Sequence, residues 1–388
     1  MTRGADFRSH AGAGHAPVAG SAAGRAASAT GGLRVTVVGA TGAVGTEFLD
    51  LLAERGTPID RLRLIASARS AGRRIDVRGV GAVMVESQPE PALAESDIVF
   101  LCAGSEISRT VAPAAVRAGA WVIDNSSAFR ADPDALLVLP EVNGGILDAA
   151  AADGRGPRIV AVPNCSTIIA LLAVSPLRAL ARVRRMVVST YQAVSGAGAA
   201  AMAELEQQAR DWAAGQPLRS PVLGRPALFN VFSHNSAVGD DGSNAEERKL
   251  LVETRRLWSD PAVRVAATCV RVPVLRAHSE SIAVEFDAPI APTHEAAERR
   301  VREALAVAPG IEIVDDPRAS SFPEPRHAAG RDPVLVGRIR ADRSLDPGMG
   351  MLLFVAGDQL RVGAALTGIR IAERLVRAGA VAARSGRQ

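Results

Sequence analysis

The chain is poor in aromatic residues, cysteine and lysine, and it lacks a long hydrophobic run. Aromatic side chains make up 3% of its 388 residues, with a single tyrosine and a single lysine. No apolar run reaches the roughly 20 residues of a membrane-spanning helix, so we expect no membrane segment. Three cysteines, an odd number in a long chain, favour a reducing compartment, the cytoplasm, over a disulfide framework. The net charge of +4 is small and the basic residues are spread out, so we expect no nucleic-acid partner.

The hydrophobic content, 48%, is sufficient for two globular domains. Residues 1–32, rich in Ala, Gly and Ser, are predicted to be a disordered tail, and residues 381–388 a second tail. Residues 33–164 alternate short β-branched runs with helical patterns, which predicts an α/β domain of the Rossmann type with a doubly wound parallel sheet. Residues 165–358 carry longer alternating strands between helices and predict an α+β catalytic and dimerisation domain. The helical segment 359–380 is predicted to return to the first domain.

A glycine-rich turn follows the first predicted strand, Leu33–Val38, and opens the first helix. In that position glycines permit a tight turn and close approach to a pyrophosphate, and the first N–H groups of the helix face the phosphates. The spacing is G-x-x-G-x-x-G, and an ordinary tight turn is the alternative. The expected dinucleotide contacts are Gly39, Thr41, Gly42, Ala43, Val44 and Gly45.

The second predicted strand, Leu62–Ala66, indicates which nucleotide binds. NAD-binding folds usually place an acidic residue near its end, to bind the ribose hydroxyls. Here the strand runs into Ser67, Arg69 and Ser70, whose guanidinium and hydroxyl groups suit a 2′-phosphate. The segment therefore favours NADP(H) over NAD(H).

Cys165 stands where a buried strand passes into a helix. Arg158–Val162 is an apolar strand-like run, Pro163 and Asn164 break it, and a helical pattern begins at Ser166. The N-terminus of a helix favours a thiolate, so this position predicts an activated nucleophile with a lowered pKa. The alternative is a small buried thiol, which is how we interpret Cys102 and Cys269 inside their apolar strands.

A thiol nucleophile needs a proton-transfer group nearby, and histidine is the usual one. His278 follows the predicted strand Cys269–Leu275 at a turn, from which its ring can point into a cleft. His234 and His327 lie in polar loops and are interpreted as solvated. A nicotinamide cofactor together with an activated cysteine indicates oxidoreduction of an aldehyde or an acyl phosphate.

Nine motifs occur in order from residue 33 onward. They are GATGAVG (39–45), SARSAG (67–72), DNSSAFR (124–130), PEVN (140–143), PNCST (163–167), YQAVSGAG (191–198), EERK (246–249), RVPVLRAHSES (271–281) and VGRIR (336–340). Together they resemble the aspartate-semialdehyde dehydrogenase family. That resemblance implies NADPH-dependent reduction of L-4-aspartyl phosphate to L-aspartate 4-semialdehyde and phosphate by a homodimer, in lysine, threonine and methionine biosynthesis. It implies no metal.

The resemblance also implies roles for individual residues. The catalytic residues are Cys165 as the nucleophile that forms a thioacyl intermediate, Gln192 as the group that orients it, and His278 as the acid/base. The substrate contacts are Arg130 and Lys249 for phosphate, Glu246 for the α-ammonium, Arg271 for the α-carboxylate and Asn164 as a neighbouring polar contact. Gln359 is a further expected cofactor contact. Glu246 and Lys249 are spaced i, i+3 on one helix face, and a surface salt bridge is the alternative for that pair.

Two segments depart from the family pattern, and two other functions stay open. The segment Asp358–Ala365 reads DQLRVGAA where the family usually has DNLRKGAA, and the loop Phe232–Asn244 is unlike the commoner version. N-acetyl-γ-glutamyl-phosphate reductase shares the chemistry, but its motif has glycine before the cysteine and an aromatic residue after it, which Asn164 and Ser166 oppose. A catalytically silent paralogue with a binding or regulatory role would have lost the cysteine or the histidine.

Overall fold

The computed structural model describes residues 32–154 and 156–381. The predicted tails, 1–32 and 381–388, lie outside the described residues except at positions 32 and 381. In the described part of the chain, no helix is long and apolar enough to cross a membrane. The described residues form two β-sheets with helices packed on them.

The first sheet has the strand order β3-β4-β2-β1-β5-β6-β8-β7. Its strands are β1 Leu33–Val38, β2 Ile59–Ile65, β3 Arg74–Val77, β4 Gly81–Glu86, β5 Ile98–Leu101, β6 Trp121–Asp124, β7 Leu136–Leu137 and β8 Ile159–Ala161. All neighbouring pairs are parallel except β3 and β4. Every residue of β5 and β6 is buried, as expected of parallel strands covered on both faces. The predicted Rossmann-type sheet is confirmed.

Helices cover this sheet and connect its strands. They are α1 Ala43–Arg55, α2 Glu90–Leu93, α3 Ser105–Arg117, α4 Pro140–Asn143 and α5 Gly145–Asp153. The chain order reverses at β1, which has β2 on one side and β5 on the other. Ligands of doubly wound folds bind at the carboxyl ends of the strands at this reversal, and the turn from β1 into α1 lies there.

The second sheet is mixed, with the order β10-β11-β9-β12-β15-β14-β13. Its strands are β9 Val183–Gln192, β10 Phe232–Ser233, β11 Arg264–Arg271, β12 His278–Phe286, β13 Ile311–Ile313, β14 Val334–Ala341 and β15 Gly350–Gly357. The helices of this half are α6 Cys165–Val174, α7 Ala199–Ala213, α8 Ala245–Trp258, α9 His294–Ala306 and α10 Pro325–Ala328. Nine of the ten residues of α6 are buried, and the helix packs against β12, β14, β15 and α8.

The last helix, α11 Leu366–Arg377, packs against β6, α1, α4 and α5 of the first half. A π-helical turn, Arg361–Ala365, precedes it. In that turn the Gly363 N–H donates to the Asp358 carbonyl, five residues back, at 3.0 Å. Arg361 at its start pairs with Glu47 of α1 at 3.2 Å.

One element was not predicted, and two residues lie in positions that differ from the prediction. The β3–β4 hairpin was not predicted, because it is a short, mostly exposed edge element in which only Val77 and Val85 are buried. β5 ends at Leu101, so Cys102 follows the strand and lines the cleft described below instead of lying inside the strand. His278 is the first residue of β12, not part of a turn after β11.

Candidate active site

Three polar side chains meet at one edge of the second sheet because of strand register. Gln192 ends β9 and Arg271 ends β11, and these parallel strands place the two residues side by side. β12 runs antiparallel to β9, with Ser279 opposite Tyr191, so its first residue, His278, begins at the same edge. Gln192, Arg271 and His278 are 1%, 2% and 1% exposed. This edge lines an open cleft of about 690 Å³ that is also lined by Ala43 and Val44 of α1.

Cys165 enters the same cleft from the start of α6. Asn164 caps the helix, since its side-chain oxygen accepts from the Ser166 N–H at 3.1 Å. Gln192 donates from Nε2 to the Ser166 hydroxyl at 2.6 Å, which ties the edge of the sheet to the first turn of α6. Gly363 lies directly against the cysteine, where a Cβ would be 2.9 Å from the Cys165 Cβ.

The resting state of Cys165 differs from the expectation of a lowered pKa. The residue keeps some surface open to the cleft. Burial and then the Glu246 carboxylate raise the pKa of its thiol to about 12, while Arg130 and Lys249 oppose that rise. Desolvation is the largest cause of this rise, so the thiol is protonated at neutral pH instead of being the thiolate that the helix start predicted.

His278 has a defined protonation state. Burial and then Arg271 lower the pKa of its ring to about 3, so the imidazole is neutral at pH 7. Its Nδ1 accepts a hydrogen bond from the Ala193 N–H at 3.0 Å, and a neutral ring with Nδ1 as acceptor carries its proton on Nε2. Nε2 makes no hydrogen bond within the described residues, which leaves its N–H for a group in the cleft.

Glu246 and Lys249 form a pair inside the cleft rather than the surface salt bridge considered as the alternative. Glu246 is 6% exposed, and its carboxylate pairs with the Lys249 ammonium and accepts from the Asn164 amide at 2.9 Å. Burial opposes ionisation, but Lys249, His234 and Asn164 together lower the pKa of Glu246 to about 2. Arg130 lies nearby, donating to the Val162 carbonyl at 2.9 Å.

Arg271 contacts a histidine that was predicted to be solvated. Its Nη2 lies 2.7 Å from Nε2 of His234, and its Nη1 donates to the Ala193 carbonyl at 2.7 Å. Burial lowers the pKa of His234 to about 4, so this ring is neutral and lines the cleft. The interpretation of His234 as a solvated loop residue is therefore wrong. Its loop has no periodic pattern, and only the departure of Phe232–Asn244 from the family pattern marked it.

The glycine turn has the shape that a dinucleotide needs. Gly39 has φ +86°, and a Cβ there would lie 2.6 Å from the Cys102 carbonyl oxygen. A Cβ on Gly45 would lie 2.3 Å from the Gly39 carbonyl oxygen. α1 begins after Gly42 without a side-chain cap, so its first N–H groups remain available to phosphate. These residues fit a nicotinamide dinucleotide.

The remaining predicted cofactor contacts flank this turn or the cleft. Ser67, Arg69 and Ser70 follow β2, whose last residue pairs with the last residue of β1. Thr41 Oγ1 lies 3.4 Å from Ser70 Oγ, and the Arg69 side chain is exposed beside them. Gln359 lines the cleft, but its amide accepts from the Ala277 N–H at 2.9 Å and donates to Ser195, so its first contacts are with protein.

Two protein families match the chain. The semialdehyde dehydrogenase NAD binding domain matches residues 34–150, and the semialdehyde dehydrogenase dimerisation domain matches residues 174–362. The first match agrees with the glycine turn and shows that the chain has a nicotinamide-dinucleotide domain. The second spans the sheet that carries Gln192, Arg271 and His278.

Similar proteins cover almost the whole chain. Aspartate-semialdehyde dehydrogenase of Synechocystis sp. is 44% identical over 347 residues, 89% of this chain and 98% of that protein. The enzyme of the same name from Aquifex aeolicus is 42% identical, over 90% of this chain and all of its own length.

Solved structures give the same result. A crystal structure of aspartate semialdehyde dehydrogenase II from Vibrio cholerae, complexed with ASA, is 39% identical with a TM-score of 0.82 and covers 89% of this chain and 98% of its own. The Candida albicans enzyme with NADP is 25% identical with a TM-score of 0.68, over 90% of this chain and 100% of its own. Neither the N-acetyl-γ-glutamyl-phosphate reductase nor the silent-paralogue alternative is favoured by these relatives. The chain belongs to the aspartate-semialdehyde dehydrogenase family.

Proposed function

We propose that this protein catalyses the NADPH-dependent reduction of L-4-aspartyl phosphate to L-aspartate 4-semialdehyde and phosphate in the cytoplasm, for lysine, threonine and methionine synthesis. One observation carries the proposal. A cysteine at a helix start lines the same cleft as Gln192, Arg271 and His278, and so do Ala43 and Val44 of the glycine turn. The nucleophile, the acid/base and the dinucleotide turn of this reaction thus share one cavity.

In the first half of the reaction Cys165 forms a thioester. Its sulfur bonds to the acyl carbon, the bond from that carbon to the phosphate oxygen breaks, and the thiol proton ends on the departing phosphate. Because the thiol is protonated at rest, proton removal accompanies the attack and does not precede it. Arg130 and Lys249, both lining the cleft, supply the positive charge that stabilises the attacking sulfur and the leaving phosphate.

In the second half the thioester is reduced to the aldehyde. The nicotinamide cofactor, held along the glycine turn, supplies the hydride for this step. The Nε2–H of His278 is the donor for the negative charge that develops on the acyl oxygen. As the hemithioacetal on Cys165 collapses, the carbon–sulfur bond breaks, His278 passes its Nε2 proton to the sulfur, and water in the cleft replaces the proton on the ring.

The charged residues of the cleft match the two ends of an amino acid. Arg271 is buried and its Nε has no partner within the described residues, so a carboxylate can accept from its guanidinium. Glu246 stays ionised and suits an α-ammonium. Asn164, bonded to Glu246, holds that carboxylate in place and supports its role as a neighbouring contact.

We propose NADPH as the preferred cofactor. Arg69 and the hydroxyls of Ser67 and Ser70 follow β2 beside the glycine turn, where a ribose 2′-phosphate needs a cation and donors. Gln359 completes the proposed cofactor contacts from the cleft side.

A homodimer through the second sheet is also part of the proposal. One face of this sheet carries α6, while on the other Tyr191 is 39% exposed, with its ring centroid 6.3 Å from that of Phe354. Large apolar groups on an open sheet face are typical of an interface. Light scattering on the purified protein should give twice the chain mass of 40.2 kDa.

The test of the activity is phosphate-dependent reduction of NADP by purified protein. We expect turnover with L-aspartate 4-semialdehyde and little with N-acetylglutamate 5-semialdehyde. The reverse preference would assign the chain to N-acetyl-γ-glutamyl-phosphate reduction. Failure with both aldehydes and with both NAD and NADP would leave the silent paralogue as the better assignment.

A further inference from the structure

The loop that departs from the family pattern, Phe232–Asn244, brings a histidine into the cleft. The short strand β10 pairs antiparallel with the end of β11, with Phe232 opposite Arg271. The next residue after β10, His234, continues this pairing by donating its N–H to the Cys269 carbonyl at 2.9 Å. The backbone therefore fixes His234 opposite Cys269, from where its side chain reaches Arg271 two residues further along β11.

The hydrogen bonds of His234 define how it meets Arg271. A guanidinium has only donors, so the 2.7 Å contact requires a lone pair on Nε2 of the ring. The neutral ring then carries its proton on Nδ1, which lies 3.1 Å from the Ser236 hydroxyl. The Ser236 N–H also lies 3.2 Å from Nδ1, but the shorter charge-assisted contact at Nε2 decides the tautomer.

His234 faces both charged groups that the proposed function gives to the ends of the substrate. Glu246 is one of the groups that act on the pKa of His234, and His234 acts in turn on that of Glu246. Although Glu246 and Arg271 carry opposite charges, each of them binds other groups. Glu246 binds Lys249 and Asn164, while Arg271 binds His234 at 2.7 Å, the Ala193 carbonyl and, at the longer distance of 3.3 Å, Oδ1 of Asn235.

We propose that His234 is a positioning residue for substrate binding: its imidazole accepts from Arg271 and holds the guanidinium apart from Glu246. The α-carboxylate and α-ammonium of the substrate then meet separate charges instead of an internal Arg271–Glu246 ion pair. This inference rests on the proposed function, since it assigns Arg271 to the substrate carboxylate. The loop Phe232–Asn244 before α8 thereby determines the affinity for the end of the substrate that carries the α-carboxylate and the α-ammonium.

The test compares His234→Ala with His234→Gln, whose amide oxygen can accept from Arg271. Loss of a hydrogen bond to a charged group corresponds to roughly a tenfold to hundredfold change in affinity. We expect His234→Ala to raise KM for L-aspartate 4-semialdehyde at least tenfold with kcat within about threefold of wild type, and His234→Gln to recover most of the loss. KM for NADP should not change, and His327→Ala, which removes an exposed histidine, should alter neither constant.

A substrate lacking the carboxylate separates positioning from general damage to the cleft. With 3-aminopropanal, His234→Ala should raise KM less than with the semialdehyde, because this substrate does not use Arg271 and loses only the contact of its ammonium with Glu246, whereas general damage would raise both KM values alike. Unchanged KM for the semialdehyde in His234→Ala, or no rescue by a folded His234→Gln, would overturn the inference while leaving the function intact. Thermal denaturation of both variants identifies misfolding. Wild-type protein without activity on the semialdehyde would refute the proposed function, and this inference with it.

Discussion

The contact between Gly363 and Cys165 makes a single methyl group a severe perturbation. In Gly363→Ala the new Cβ would lie 2.9 Å from the Cys165 Cβ, 3.3 Å from the Gln359 Cβ and 3.4 Å from the Cys165 Cα. Carbon atoms pack best at about 3.5 to 4.0 Å, so the closest pair must separate by at least about half an ångström. The start of α6 is buried and capped by Asn164, and the π-helical turn is held by its own hydrogen bonds, so neither side yields freely.

The expected effect is larger on catalysis than on stability. Overpacking of this kind costs about 1 to 3 kcal/mol, partly offset by the roughly 1 kcal/mol that alanine gains over glycine in a helix. A misplacement of about 1 Å can lower a rate about a hundredfold, so half of that displacement at the nucleophile predicts a loss of about tenfold or more in kcat.

The assay is phosphate-dependent reduction of NADP with L-aspartate 4-semialdehyde, together with thermal denaturation. Gly368→Ala is the matched control, since Gly368 lies in α11 and a Cβ there meets its nearest atom, on Ile123, at an ordinary 3.6 Å. That variant should keep wild-type kcat and lose no stability. Wild-type kcat in a folded Gly363→Ala would refute the reasoning, because it would show that Cys165 does not depend on this contact.

Four further predictions concern Cys165, Arg69 and Lys249. Cys165→Ala should abolish turnover with NADPH binding nearly intact, whereas Cys269→Ala should lower only stability; full activity in the first variant would exclude the thioester. Because the pKa of the Cys165 thiol is raised to about 12, its alkylation by iodoacetamide should accelerate about tenfold per pH unit from pH 7 to 10. An alkylation rate that stops rising near pH 8 would contradict a pKa of about 12. Arg69→Ala should weaken NADPH roughly tenfold to hundredfold with little change for NADH, measured by fluorescence titration; equal losses would show that Arg69 does not contact the 2′-phosphate. Lys249→Arg keeps the charge but places a larger, planar group beside Glu246, so kcat/KM should fall at least about tenfold. A wild-type kcat/KM in Lys249→Arg would show that Lys249 does not contact the substrate.

The sequence predicted what depends on local pattern. The first strand, Leu33–Val38, has the predicted bounds, because it is a short β-branched run that ends at the glycine turn. The glycine turn was predicted for the same reason, since the strand before it and the helix after it are adjacent in the chain. The start of α6 differs by one residue, at Cys165.

What depends on distant parts of the chain was not predicted. His234 contacts Arg271, 37 residues later, through a two-residue strand too short to give a pattern. The pKa of Cys165 depends on burial and on Glu246, neither of which is visible in the sequence around the cysteine. The motif resemblance supplied Arg271 and Glu246 as site residues, and only the structure shows which partners hold them.

The π-helical turn at Arg361–Ala365 makes the length of the chain here as important as its composition. It contains one residue more per turn than an α-helix needs, and each residue of an α-helix advances the chain by about 100°. Deleting one residue would restore a regular helix but rotate the apolar stripe of α11 by about 100° relative to Arg361 and Gly363. The helix could then cover the first sheet or complete the wall of the cleft, but not both. In an alignment of relatives this segment should therefore reject single-residue gaps, while substitutions should occur at its positions other than Gly363.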